Sequence, residues 1–173
     1  YPDGRLNGWF VEQAAFNKAM GGLKDLVIPK DFFERAVTLH ASACIHNGVT
    51  TVADMAWGLF DFDGEWNVHE KLLDDSFPFR VSMVPYEPNL THKFGDKKFD
   101  YLDKMRAKNS ARLQVHGVKF QNDGSFPATT SKIGYPGYLD EDTSATGDTK
   151  WEENVEWFWP YWDRGIRIHS HAN

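Results

Sequence analysis

The feature that most constrains this chain is a repeated change of hydrophobic period. After Pro29 and up to Gly48, the residues Phe32, Ala36, Val37, His40, Ala43 and Cys44 recur at helical spacing, which predicts a helix over Asp31–His46. Directly after it, Val49-Thr50-Thr51-Val52-Ala53 is a short β-branched run that predicts a strand ending near Asp54. The change then recurs. A turn-rich stretch through Asp61-Phe62-Asp63-Gly64 leads to a short helix around Asn67–Asp74 and a strand over Phe79–Val84. Asp96 is placed to cap a helix in which Phe99, Leu102 and Met105 share a face, and Leu113–Phe120 reads as a third strand. Thr149-Lys150-Trp151-Glu152 has the form of a capping box, opening a helix striped by Val155, Phe158, Trp159 and Trp162 and expected to kink at Pro160. Gly165 ends it, and Ile166–His171 is a fourth strand.

Short apolar strands alternating with helices predict parallel βαβ units, the α/β class, rather than a sandwich. Four strands do not close an eight-stranded barrel, and 173 residues fall short of the roughly 250 of a complete (β/α)8 barrel. The expectation is therefore a partial (β/α)8 TIM barrel, about strands 2 to 5 with their helices, and a chain that is a piece of a larger enzyme. Residues 1–28 form a lead-in, 29–173 carry the βα repeats, and 121–148, rich in Gly, Pro, Ser, Thr and Asp, form a long loop after a strand, where barrel active sites are built.

The net charge of −6 gives a phosphate backbone little to bind, so nucleic acid is not an expected partner. No apolar run approaches the roughly 20 residues needed to span a bilayer, and the opening Tyr1-Pro2-Asp3-Gly4-Arg5 has no signal-peptide form, so no membrane partner is expected; the composition leans toward a cytoplasmic enzyme. The single cysteine, Cys44, has no internal disulfide partner and reads as an inert thiol on a helix.

Side chains alternate along a strand. In Val115-His116-Gly117-Val118-Lys119-Phe120, the apolar Val118 and Phe120 take one face and Lys119 the other, near the C-terminal mouth of a barrel. A lysine there either snorkels to the rim, pairs with a carboxylate such as Asp123, serves as a base, or is carboxylated by carbon dioxide to give metal-binding oxygens. By the same alternation, His169 and His171 share a face opposite Ile166 and Ile168. Two imidazoles spaced this way suit either a metal or an ordinary hydrogen-bonded strand end.

The run Gly117-Val118-Lys119-Phe120-Gln121-Asn122-Asp123-Gly124-Ser125 resembles the strand-four motif of amidohydrolase family 3, the YtcJ-like branch of metal-dependent hydrolases. Three further segments resemble that family in the same order: Asn7-Gly8-Trp9-Phe10-Val11-Glu12, Gly48-Val49-Thr50-Thr51-Val52-Ala53-Asp54, and the fifth-strand motif Ile168-His169-Ser170-His171-Ala172-Asn173.

The resemblance implies a metal-dependent hydrolase in which Lys119 is carboxylated and binds metal, His171 is a ligand, and His169 is a neighbour. Asp123 and Gly124 would begin the substrate loop, with Asp123 orienting a ligand or substrate or simply forming an Asp-Gly turn. It implies one or two divalent ions, zinc by analogy with the family, and hydrolysis of an amide, N-acyl or N-formyl C–N bond in a small-molecule substrate. The family's first-strand His-x-His, sixth-strand histidine and eighth-strand aspartate are absent from this sequence, so no catalytic acid or base is assigned in it and these residues alone are expected to be inactive. The alternative is a non-catalytic regulatory or ligand-binding protein on a degenerate barrel, whose pocket would draw on Trp57, Phe60, Phe62, Phe126, Tyr135 and Tyr138. Open edges and apolar surface would favour a homo-oligomer.

Overall fold

The computed structural model describes residues 18–23, 29, 31–73, 78–131, 133–139 and 151–172. They fall into two compact units, of which one comprises Asp31–Asn122 and Trp151–His171 and bears every named strand. Asp123, Gly124 and the loop after them belong to the other. The motif Asn7–Glu12 and the Thr149-Lys150 half of the capping box lie outside the described residues.

In the strand-bearing unit, helix α1 spans Phe32–His46 as its spacing predicts. Its packed stripe is rotated, however. Ala41 is buried and Phe33, Ala36, Val37, Cys44 and Ile45 are half-buried, while Phe32, His40 and Ala43 are exposed, because Phe33 and Ile45 offer more apolar surface than His40 and Ala43. Strand β1, Thr51–Trp57, runs past Asp54, and its register with the next strand is irregular between Asp54 and Trp57. There the Asp54 Oδ1 accepts the Ala56 N–H at 3.0 Å. Helix α2, Phe62–Leu72, begins earlier than expected: Asp61 accepts the Gly64 N–H at 2.7 Å, so the apparent turn is an N-cap and first helical turn.

Strand β2 is Arg80–Pro85, and helix α3, Glu87–Phe94, follows it directly. Sequence reading assigned no element to α3; its Pro88 sits in the first turn, where proline is tolerated because N–H groups there have no helical partner anyway. Asp96 lies within a 3-10 turn, Gly95–Lys97, instead of capping, and helix α4 begins at Lys98 and ends at Arg106. The single strand expected over Leu113–Phe120 is two strands, β3 (Leu113–Val115) and β4 (Val118–Gln121). Gly117 between them has φ +79°, a left-handed conformation that breaks the ladder. Helix α5, Trp151–Trp162, keeps Pro160 in its last turn. Strand β5 is Ile168–His171, shorter than expected because the Ile166 N–H is taken by the Tyr161 carbonyl at 2.9 Å.

The pairing is parallel throughout: β1-β2-β3 form one sheet and β4-β5 a second, with an isolated parallel bridge between Tyr86 and Lys119. The core runs from Trp57, Phe62 and Trp66 through Val81, Met83, Leu90, Leu102 and Val115 to Val118, Phe120 and Tyr161. Full burial of each such large side chain stabilises by about 1.5–3 kcal/mol. Trp57 and Phe62 are thus core, with the Trp57 indole N–H donating to the Phe62 carbonyl at 2.9 Å, and are not available to line a binding pocket. Phe60, Phe126 and Tyr135 are exposed.

Candidate functional site

Strand register fixes the candidate site. In the β4–β5 ladder Lys119 pairs with His169 and Gln121 with His171, while Val118 pairs with Ile168 and Phe120 with Ser170. Phe120 packs edge-on against Phe158 and Tyr161 of α5, with ring centroids 4.5 and 5.5 Å away. Alternation therefore turns Lys119, His169 and His171 toward the face away from α5. His171 lies two residues beyond His169, roughly 6.6 Å along the strand, which a lysine side chain starting opposite His169 can span. Tyr86 borders the face, its hydroxyl donating to Gln121 Oε1 at 3.2 Å.

His116, at the break between β3 and β4, joins this group: its ring lies 5.9 Å from that of His169. Sequence reading passed over it because alternation along an unbroken strand puts it opposite Lys119. The signal was the following Gly117, where a Cβ would come within 2.5 Å of the Arg167 carbonyl oxygen, 2.9 Å of His169 Cδ2 and 3.0 Å of His169 Nε2. Glycine there lets the His169 ring lie against the backbone. His169 Nε2 is buried and makes no hydrogen bond among the described residues.

Burial lowers the affinity of Lys119 for its proton. His169 is also harder to protonate than a free histidine, first because of burial, then through the positive charges that His116, Arg167 and Lys119 bring near it. Lys119 and His169 thus each bind a proton less readily than the free side chain does.

Asp123 and Gly124 are both buried, but in the other unit, where the Gly124 N–H bonds the Thr130 carbonyl at 3.1 Å ahead of a short 3-10 turn, Phe126–Ala128. Within the strand-bearing unit, a second polar feature was also missed. Glu65 is buried and accepts the N–H groups of Gly58 (2.8 Å), Phe60 (2.9 Å) and Asp61 (2.8 Å), clamping the β1–α2 loop. Nothing in the sequence distinguishes this carboxylate from an ordinary solvated one in a helix. Among the described residues, no three His, Cys, Asp or Glu side chains converge on a metal-sized site, and no helix is long and apolar enough to cross a membrane.

No protein-family model matches the chain, and no curated protein is significantly similar in sequence. In structure it is similar to an uncharacterized metal-dependent hydrolase from Pyrococcus horikoshii OT3, with a TM-score of 0.67 and 19% identity, covering 93% of this chain and 31% of that one. The fold is shared with metal-dependent hydrolases. A second such protein, from Pyrococcus furiosus, gives a TM-score of 0.66 at 19% identity over 93% of this chain and 32% of its own. The chain spans about a third of the length of these solved structures, and the likeness concerns the fold and does not single out amidohydrolase family 3.

Proposed function

We propose that this chain forms strands 2 to 5 of a (β/α)8 barrel in a metal-dependent amidohydrolase that cleaves a C–N bond of amide, N-acyl or N-formyl type in a small molecule. The observation that carries the reading is the β4–β5 register, which sets Lys119 across from His169 and one pleat from His171 on the face opposite α5. The donor set suits a borderline divalent ion such as zinc: two imidazoles share one strand face, the His169 Nε2 is buried without a partner, and a lysine lies alongside. Lys119 and His171 would hold the ion, with His169 beside them. When bound, a divalent ion would lower the pKa of water and polarise a substrate carbonyl.

The residues of this chain have three tasks. Lys119, made a weaker base by burial, offers a neutral amine to carbon dioxide; the new Nζ–C bond and loss of one proton give a carbamate whose oxygens are hard donors. His171 presents an imidazole from the same strand face. Asp123, buried at the head of its loop, orients a ligand or the substrate. Because no three His, Cys, Asp or Glu side chains converge among the described residues, further ligands must come from elsewhere, and residues 1–173 alone are not expected to hydrolyse such substrates.

The direct experiment supplies 13C-bicarbonate and zinc to the full chain, then looks for a carbamate carbon signal and a labile mass increase of about 44 Da on the peptide containing Lys119, the mass of one carbon dioxide. A K119A variant must lose both. An unmodified lysine, with the number of zinc ions bound per chain unchanged in K119A and H171A, would sink the assignment.

A further inference from the structure

We propose that His116 and His169, brought together across the strand break at Gly117, form a two-imidazole site for a first-row divalent ion such as Co2+, Ni2+, Cu2+ or Zn2+. The pair shares the His169 Nε2 with the reading above but uses neither Lys119 nor His171, so variants at those two residues separate the two sites. Metal–nitrogen bonds of about 2.0–2.1 Å put the ring centroids of two imidazoles on one ion roughly 5–6 Å apart. The observed separation of 5.9 Å, with the ring planes 53° apart, falls within that range.

Three features of the fold produce this arrangement. The left-handed Gly117 breaks what would otherwise be one strand, and so carries His116 to the same side as His169. The missing Cβ leaves room for the His169 ring against the Gly117 and Arg167 backbone, where any larger residue would meet both. The His169 Nε2 is buried and makes no hydrogen bond among the described residues, and an orphaned acceptor of this kind costs about 1–3 kcal/mol unless something fills it. Metal coordination fills it. Imidazole donors select borderline ions over Mg2+ or Ca2+, and a site with two protein ligands leaves its remaining positions to water.

The test titrates the metal-free full chain with Co2+ alone, following visible absorption and calorimetry. One ion per chain is expected at this site, with affinity reduced at least tenfold in H116A and in H169A and retained in the K119A/H171A double variant. Mg2+ should not compete. Diethyl pyrocarbonate labelling of the unmutated chain gives a second reading that no folding defect can blur: Co2+ must protect His116 and His169 together. Absence of Co2+ binding, or binding that survives H116A and disappears in K119A/H171A, overturns the inference; the second outcome leaves the Lys119 and His171 assignment standing. Loss in H116A with Lys119 never carboxylated does the reverse.

Discussion

The Tyr161 hydroxyl donates to Glu87 Oε1 at 3.0 Å, joining the last helix to the short helix that follows β2. Lys98 Nζ reaches the same oxygen at 2.9 Å and the Thr91 hydroxyl bonds it as well, so one buried carboxylate anchors three elements. Burial of the ring, and after it the Glu87 carboxylate, hold the Tyr161 phenol far above its usual titration range. Removing one donor differs from removing the acceptor. Y161F is expected to cost about 1.5–3 kcal/mol, the range for a hydrogen bond to a charged group. E87A should cost about 3–5 kcal/mol, since it strands a largely buried ammonium and a phenol together. Urea denaturation of both variants decides the matter, and the account fails if E87A is no worse than Y161F.

Glu65 predicts a pH dependence. Burial raises its proton affinity above the ordinary carboxylate value of 4.5, the three backbone N–H groups oppose this, and the charge of Asp54 adds to the rise. The folded state thus holds this proton more tightly than the unfolded state. The associated stability is fully present below pH 4.5 and is lost as pH rises through the folded value. Melting temperatures taken from pH 4 upward should fall across that window in the natural chain and flatten in E65Q. Parallel curves would show that Glu65 does not titrate there.

Two glycines with similar φ should respond very differently to alanine. Gly48 has φ +79° and open space where a Cβ would go, so G48A costs only the left-handed penalty of about 1–2 kcal/mol. Gly58 has φ +85°, and a Cβ there would strike the ring of Phe62, which is 1% exposed and held by Trp57, Phe94 and Tyr101. Overpacking adds about 1–3 kcal/mol to the same backbone penalty in G58A. Equal losses by chemical denaturation would contradict this packing argument.

Self-association is expected to run through α5. Trp157, Trp159 and Trp162 are 57%, 54% and 67% exposed, and Trp159 and Trp162 border an open, mostly apolar groove beside β5. Exposed aromatic surface of this kind usually marks an interface. Sedimentation velocity over a range of concentrations should show dimers or larger species that dissociate when the three tryptophans are changed to glutamine, a triple variant that leaves the buried Tyr161 in place. A monomer at high concentration, before any substitution, would contradict it.

The alternation of helices with parallel strands was legible because period changes are long-range averages that survive local irregularity. The shared face of His169 and His171 was legible too, since alternation holds over a short, regular ladder. What escaped was set by single local interactions. Asp61 turned an apparent loop into a capped helix, Pro88 opened α3, and Gly117 divided one strand into two. His116 went unread for that last reason. Glu65 lay beyond sequence reasoning altogether, as its role depends on three N–H groups that only the folded loop presents.

The division at Gly117 also bears on how the unit opens. β3 exchanges hydrogen bonds with β2, and β4 with β5, so among the described residues the backbone links between the two ladders are the peptide at residues 116–117, the His116 N–H on the Met83 carbonyl and the bridge at Tyr86. Cooperative units in native-state hydrogen exchange are bounded by thin connections of this kind. The amides of β5 and those of β1 would then report different opening energies, and an ion seated beside the junction would slow exchange on one side of it before the other.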